Sequence, residues 1–487
     1  MIHTLKTDKV MRRLLLAGLT VVLVAGCKNF LNVNQNPNES TNPSLSGLLS
    51  DAEYMTAQNS YDAAGVTTYY VQQLASPSGS SIDRQNVVYL DGTWSSLYST
   101  MTDLKDLDTL AVQKGATEYA AISKILLAMN LGETTDLWGD IPYSKAFLGQ
   151  ADLTPAYDSQ KDIYADIQKL LDDAISELKS GPSATATQPA SDDYYYAGDT
   201  QKWLETAYAL KARYLNHLSK KTSYDPQAVL RAVSNAYQSN ADDAQLTYTS
   251  ANRNPWATVV LNNTTGTLGG FISQYLIQAM ADSAQLADST AHSIYGVYDP
   301  RLSVITDTLA GGQYNGTVNG KGSPKSYNYI TSDSWFAQDS SPIQLVTYSE
   351  IKFIEAEAAF RMGDKATAYQ AYLDGIKANM DKLGIPSAEE TAYLTNPKVA
   401  VGANNLTLEL IFKEKLVALF LQPEAWTDAR RFDYQYKDMT VPYMQYSALN
   451  GKFIRRILYP QSEQSRNAKN MPSVTLTTHM WWDQTGQ

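Results

Sequence analysis

One cysteine occurs in 487 residues, and it stands directly after Val24, Ala25 and Gly26. Small residues ahead of a lone cysteine suit a signal peptidase. Val-Ala-Gly-Cys resembles the bacterial lipobox, in which the Cys27 thiol is acylated and the cysteine becomes the new N-terminus. Lys6, Lys9, Arg12 and Arg13 form a basic leader, and residues 14–24 are an apolar run of about eleven, too short for the roughly 20 residues that a bilayer-spanning helix needs. Residues 1–26 therefore read as a lipoprotein signal peptide. The competing reading is a plain secretory signal with an incidental cysteine. Several acyl chains, at about 0.8 kcal/mol per buried methylene, hold a protein on a membrane stably where one does not.

Other chemistry is thin. His3 leaves with the leader, and His217, His292 and His479 have no ligand spacing or H-E-x-x-H around them, so no metal set is spelled out and no cofactor is called for. Gly316 to Lys321 imitates a phosphate loop, but three residues rather than four separate its glycines, and Gly322 stands where Ser or Thr is needed. No G-x-S-x-G elbow appears. Glu355 and Glu357 lie two apart on a helical pattern and point to different sides. A glycosidase pair of carboxylates far apart in sequence leaves no trace in spacing, so that alternative stays open.

What the chain has in excess is tyrosine: 33 Tyr against 10 Phe, with 8 Trp. Such side chains offer a flat apolar face with a polar edge, which suits stacking on a wet ligand. Stacking groups must lie on exposed, irregular chain rather than on helix faces committed to packing. That criterion selects Trp256 beside Pro255, Tyr314, Tyr327, Tyr329 and Trp335, with Tyr89 as a weaker candidate; Gln313, Asn315 and Asn319 are placed to supply directional hydrogen bonds.

The elements that must position these residues are mostly helical. With 44% hydrophobic and 18% charged residues the chain can bury a large core. Apolar residues recur at three and four in Trp94, Leu97, Tyr98, Met101 and Leu104, and again in Ile163, Ile167, Leu170, Ala174 and Leu178, and in Trp203, Ala207, Leu210, Tyr214 and Leu218. Asp158 or Ser159 is placed to cap the second of these helices. Around residues 348–383 the pattern is helix, Gly363-Asp364 turn, helix, with Ala356, Ala368 and Tyr372 where a tetratricopeptide repeat keeps its packing residues. Four helix pairs are expected, around 44–113, 117–178, 200–240 and 348–383, each of which could equally be an ordinary hairpin. Residues 245–345, rich in Thr, Ser, Asn, Gly and Tyr and broken by four prolines, carry one clear helical run near 268–287. Within them, residues 311–324 read as a long surface loop.

The net charge is −11, and loss of the leader's four basic residues against Asp8 alone takes it to −14. A diffuse basic field for nucleic acid is absent. After Cys27, residues 27–43 form an Asn-rich, nearly uncharged tether.

TTDLWGDIPYSKAF at 134–147, TPAYDSQKDIYADIQKLLDDAI at 154–175, LVTYSEIKFIEAEAAFRMGD at 345–364, IFKEKLVALFLQPEAWTDARRF at 411–432 and RRILYPQSEQSRN at 455–467 resemble, in order, the hallmark segments of the SusD/RagB family, nutrient-binding outer-membrane lipoproteins of Bacteroidetes. The resemblance implies a mostly α fold, a degenerate tetratricopeptide-like scaffold at 44–240 and 345–383. It implies an irregular ligand-binding portion at 245–345 and a hallmark region at 405–470, all in one domain, 44–487. It also implies a SusC-like TonB-dependent barrel as partner. Lys28, Asn29 and Phe30 stand where an acidic cluster linked to surface export is often found, so acylation is better supported than surface exposure. The hallmark residues themselves read as structural: Trp138 as a wedge between helices, Arg430 and Arg431 as ion-pair partners of Glu424 and Asp428. The expected function is capture of an oligosaccharide or similar nutrient without covalent chemistry. A surface lipoprotein hydrolase is the alternative, and a lid that binds no ligand is the third reading.

Overall fold

The computed structural model describes residues 43–181, 186–263 and 269–486; the expected signal peptide, Cys27 and all but the last residue of the tether lie outside them. The first six helices are α1 (Leu45–Tyr70), α2 (Asp91–Lys114), α3 (Thr117–Trp138), α4 (Gln160–Lys179), α5 (Thr200–His217) and α6 (Pro226–Val233), with a two-residue strand β1 (Leu74–Ala75) after α1. Each helix packs against the next in sequence, so the first three expected pairs form one continuous array. Local chemistry sets the ends. Ser159 caps α4 by accepting from Asp162 N, and Asp225 caps α6, whose first residue is Pro226. The helix α3 is buried on nearly every face because α1, α2, α4 and α5 surround it.

Next comes the irregular portion, fastened at its neck. Strand β2 (Ala244–Thr247) leads into it and β4 (Pro342–Val346) leads out, and the two pair antiparallel. Between them lie α7 (Pro255–Asn263), β3 (Phe271–Ile272), α8 (Gln274–Met280) and the single turn α9 (Leu302–Ile305). The strand β3 pairs with β1, tying this portion to the loop between α1 and α2.

Three expectations need correction here. The helical run near 268–287 shortens to α8, because Ser273 caps it and Ala281 is already extended. The unexpected α7 starts at Pro255, which reads as a breaker in sequence but is tolerated in a first helical turn; the Asn254 side chain accepts from Trp256 N at 2.7 Å. Residues 311–324 are no surface excursion either. Gln274 N donates to Thr317 O and Asn319 Nδ2 to Leu74 O, so that the loop is laced to α8 and β1.

The chain then resumes the helical array with α10 (Tyr348–Met362), packed on α6 and α5, and α11 (Lys365–Leu383). Gly363 ends α10 with φ +89° and Asp364 caps α11, as the turn chemistry requires. Ala356, Ala368 and Tyr372 are fully buried between the two helices. Helices α12 (Ser387–Leu394), α13 (Leu408–Ala418), α14 (Glu424–Arg431) and α15 (Gln461–Arg466) complete the fifteen among the described residues. No described helix is long and apolar enough to cross a membrane.

Candidate ligand-binding groove and the buried polar centre

The residues 328–330 run antiparallel beside Gly270, Phe271 and Ile272: Ile272 N donates to Asn328 O and Ile330 N to Gly270 O. Extended chain alternates its side chains. Asn328 therefore turns inward, where it accepts from Asn315 N and donates to Asp307 O, while Tyr327 and Tyr329 share the outer side. With Phe271 they form an aromatic cluster: Phe271 and Tyr327 have ring centroids 4.7 Å apart, Tyr327 and Tyr329 6.5 Å. This cluster faces one side of α7 across a groove of about 640 Å³, within the range of small-ligand sites. Ala257, Val260 and Ala337 contribute apolar surface; Asp307, Gln338 and the Arg253–Asp339 ion pair, 2.7 Å long, contribute polar groups. The Thr331 hydroxyl, also on the groove, has no partner within the described residues. Tyr329 is 39% exposed. The arrangement can stack a flat apolar ligand face and satisfy its hydroxyls, as a saccharide requires.

Of the nominated residues the structure brings Tyr327 and Tyr329 together here and scatters the rest. Trp256 was expected on exposed chain and is buried at 4%, because its place on α7 turns it away from the groove and edge-on to Tyr61. Tyr314, expected exposed, is also buried and stacks on Tyr298. Asn319 is buried and committed to Leu74 O and Asp83. Asn315 donates to Ser326 O, and Gln313 makes a long 3.4 Å contact to Leu286 O. Trp335 packs against Phe336 and Tyr89 is 37% exposed before α2; neither lines the groove. Sequence reasoning missed Phe271, Asp307 and Arg253; only the pairing of residues 328–330 with β3 places Phe271 beside the two tyrosines, and sequence carries no sign of it.

The hallmark segments converge elsewhere, in a closed polar centre. Trp138 is fully buried against Trp94, and its indole donates to Leu458 O, the wedge expected of it. Arg431 pairs with Asp428 and Glu357. Arg430, expected in an ion pair, has none among the described residues: it donates to Asp136 O, Arg455 O and Thr427 Oγ1 and lies over the Trp426 and Trp482 rings. His217 sits between two acids distant from it in sequence, Asp136 and Glu424: Nδ1 is 2.8 Å from the Tyr164 hydroxyl and 3.5 Å from Asp136, and Nε2 is 2.8 Å from Glu424 Oε1. Tyr164 donates to Asp136, so Nδ1–H donates to Tyr164 and Nε2 accepts, which places a proton on Glu424. Both shifts agree, since burial pushes His217 down to about 3 and raises the Glu424 carboxyl. Asp136, His217 and Glu424 bring donor atoms within 4.8 Å of one another. A cation bridging all three would have to displace the hydrogen bonds that each ring nitrogen already makes, so the centre fits a hydrogen-bond relay better than a metal cradle.

A family of SusD-like proteins, described as starch-binding and associating with the outer membrane, matches residues 37–460. No curated protein matches. Among solved structures, a chitin-binding SusD homologue from Flavobacterium johnsoniae superposes with a TM-score of 0.71 at 24% identity, covering 89% of this chain and 98% of the other. A SusD/RagB family protein from Bacteroides thetaiotaomicron gives 0.71 at 24%, covering 92% and 100%. A SusD homologue from Parabacteroides distasonis gives 0.72 at 19%, covering 91% and 98%. At these identities the likeness is one of fold.

Proposed function

From a chain that belongs to the SusD-like family, we propose a binding protein of the outer membrane that captures a glycan at the cell surface in the groove of Phe271, Tyr327 and Tyr329. It hands the glycan to a SusC-like TonB-dependent barrel. The carrying observation is the pair of same-side tyrosines over an apolar floor with hydroxyl, amide and carboxylate groups at the rim. Acylated Cys27 would anchor it. Starch and chitin fragments are the first ligands to try, given the family's description and one structural relative's.

The full chain in detergent, titrated with both series by calorimetry, is expected to bind one of them and to leave it intact on prolonged incubation. Product release would favour the hydrolase reading, and absence of binding to any glycan would overturn the proposal. Cys27→Ala is expected to abolish labelling by a fatty-acid analogue. A tagged chain purified under gentle conditions is expected to bring a large barrel with it.

A further inference from the structure

We infer that a second cleft, beside the start of α4, binds an oxyanion group, the carboxylate of an acidic sugar or a free anion of similar charge. The cleft has a volume of about 420 Å³ and is lined by Arg456, Lys161, His479, Ser473 and Thr478, with the first residues of α4 on one wall.

Arg456 is the reason. Five arginines are buried among the described residues. Arg213, Arg301 and Arg431 have carboxylate partners, and Arg430 spends its donors on carbonyls and a hydroxyl. Arg456, 4% exposed, is in no ion pair; one N–H reaches Trp138 O, the guanidinium lies over Tyr459, and Nε has no acceptor. A buried cation whose nearby carboxylate, Asp140, stays outside ion-pair distance is costly, and an anion in the cleft lowers that cost. Burial accordingly pushes this guanidinium below its ordinary value.

The surroundings favour an anion too. Lys161 is exposed and lies on the first turn of α4, where the helix dipole is positive. The carboxylate in the cleft, Asp140, is engaged by Gln160 N at 2.8 Å and makes no ion pair with Arg456. His479 is 2.9 Å from Asp483 and adds charge only when protonated. In a chain of net charge −11 the cleft sets Arg456 and Lys161 against the single carboxylate of Asp140.

The test is calorimetry on the full chain in detergent, at constant ionic strength, with glucuronate, glucose and sulfate. Glucuronate is expected to bind about ten-fold more tightly than glucose, and Lys161→Gln, an exposed site that leaves the fold alone, to weaken it about three-fold or more. Tighter glucuronate than sulfate identifies an acidic sugar as the ligand; equal binding identifies a free anion; either supports the site. Arg456→Lys, checked for melting temperature, is expected to weaken binding further. Glucuronate no tighter than glucose, or no loss in Lys161→Gln, overturns the inference. Tyr329→Ala is expected to leave glucuronate binding intact, so failure here and failure of the groove are separable.

Discussion

Tyr327 and Tyr329 flank Asn328 on one extended segment and present their rings to the same side, while Asn328 turns inward to hold Asn315 and Asp307. The stacking surface is therefore anchored by the residue between its two rings. A ligand covering one ring face gains on the order of 1–2 kcal/mol from it. Tyr329→Ala, at a ring 39% exposed, is expected to weaken glycan binding about ten-fold with little change in melting temperature. Trp256→Ala is expected to do the reverse, since that ring is buried. Loss of affinity only where melting temperature also falls would make Tyr329 a packing residue.

The helical array was readable because its periodicity, caps and turn residues are local: Ser159, Gly363 and Asp364 do what their chemistry predicts. The irregular portion was not, for the opposite reason. Burial of Trp256 and Tyr314 depends on partners, Tyr61 and Tyr298, that only the folded chain supplies. Likewise, His217 gives no hint in sequence of Asp136 or Glu424, some 80 and 200 residues away. Exposure inferred from irregular sequence thus named two residues that line the groove and several that lie elsewhere.

Glu357 is held by Arg431 at 2.8 and 3.0 Å and by Arg361 at 2.8 Å. Burial works to raise its carboxyl, but the guanidiniums outweigh burial and hold it well below the usual range. Glutamine keeps the shape but removes one of the two carboxylates that Arg431 holds, leaving it Asp428 alone, at a cost on the order of 1–3 kcal/mol. Glu357→Gln is expected to lower the urea midpoint accordingly at pH 7. The wild-type advantage should shrink below the ordinary carboxylate pKa, where the unfolded chain takes up a proton that the folded one refuses. A midpoint unchanged at pH 7 would show that the pair does not stabilise the fold.

Two glycines on neighbouring helices are expected to respond in opposite directions to alanine. A Cβ on Gly132, in α3, would lie 2.0 Å from the Tyr214 hydroxyl on α5, so Gly132→Ala must push the helices apart and is expected to cost about 1–3 kcal/mol. Gly65, in α1, has nothing within 4 Å of such a Cβ. There alanine only restricts the unfolded chain and improves helix propensity, so Gly65→Ala is expected to gain about 0.5–1 kcal/mol. Urea unfolding of both variants checks the pair, and destabilisation by both would contradict the packing described for α3 and α5.

Glu133 makes the fold less stable as pH rises from about 4.5 to about 8. It lines a small internal cavity of about 50 Å³ with Asp136, Arg213 and Glu424, and its Oε1 has no hydrogen-bond partner. Burial pushes its carboxyl up to about 8. Below the unfolded value of about 4.5 both states carry the proton and the group contributes no pH dependence. Between there and about 8 the folded chain keeps a proton that the unfolded chain has released, so stability falls as pH rises through this window. Glutamine cannot titrate and preserves the shape. Glu133→Gln is therefore expected to match wild type near pH 4.5 in relative terms and to gain on the order of 1–2 kcal/mol by pH 8. Urea midpoints for both proteins at pH 5 and pH 8.5 measure the difference directly. Parallel loss of stability in the two proteins across that range would mean that Glu133 is not the group responsible.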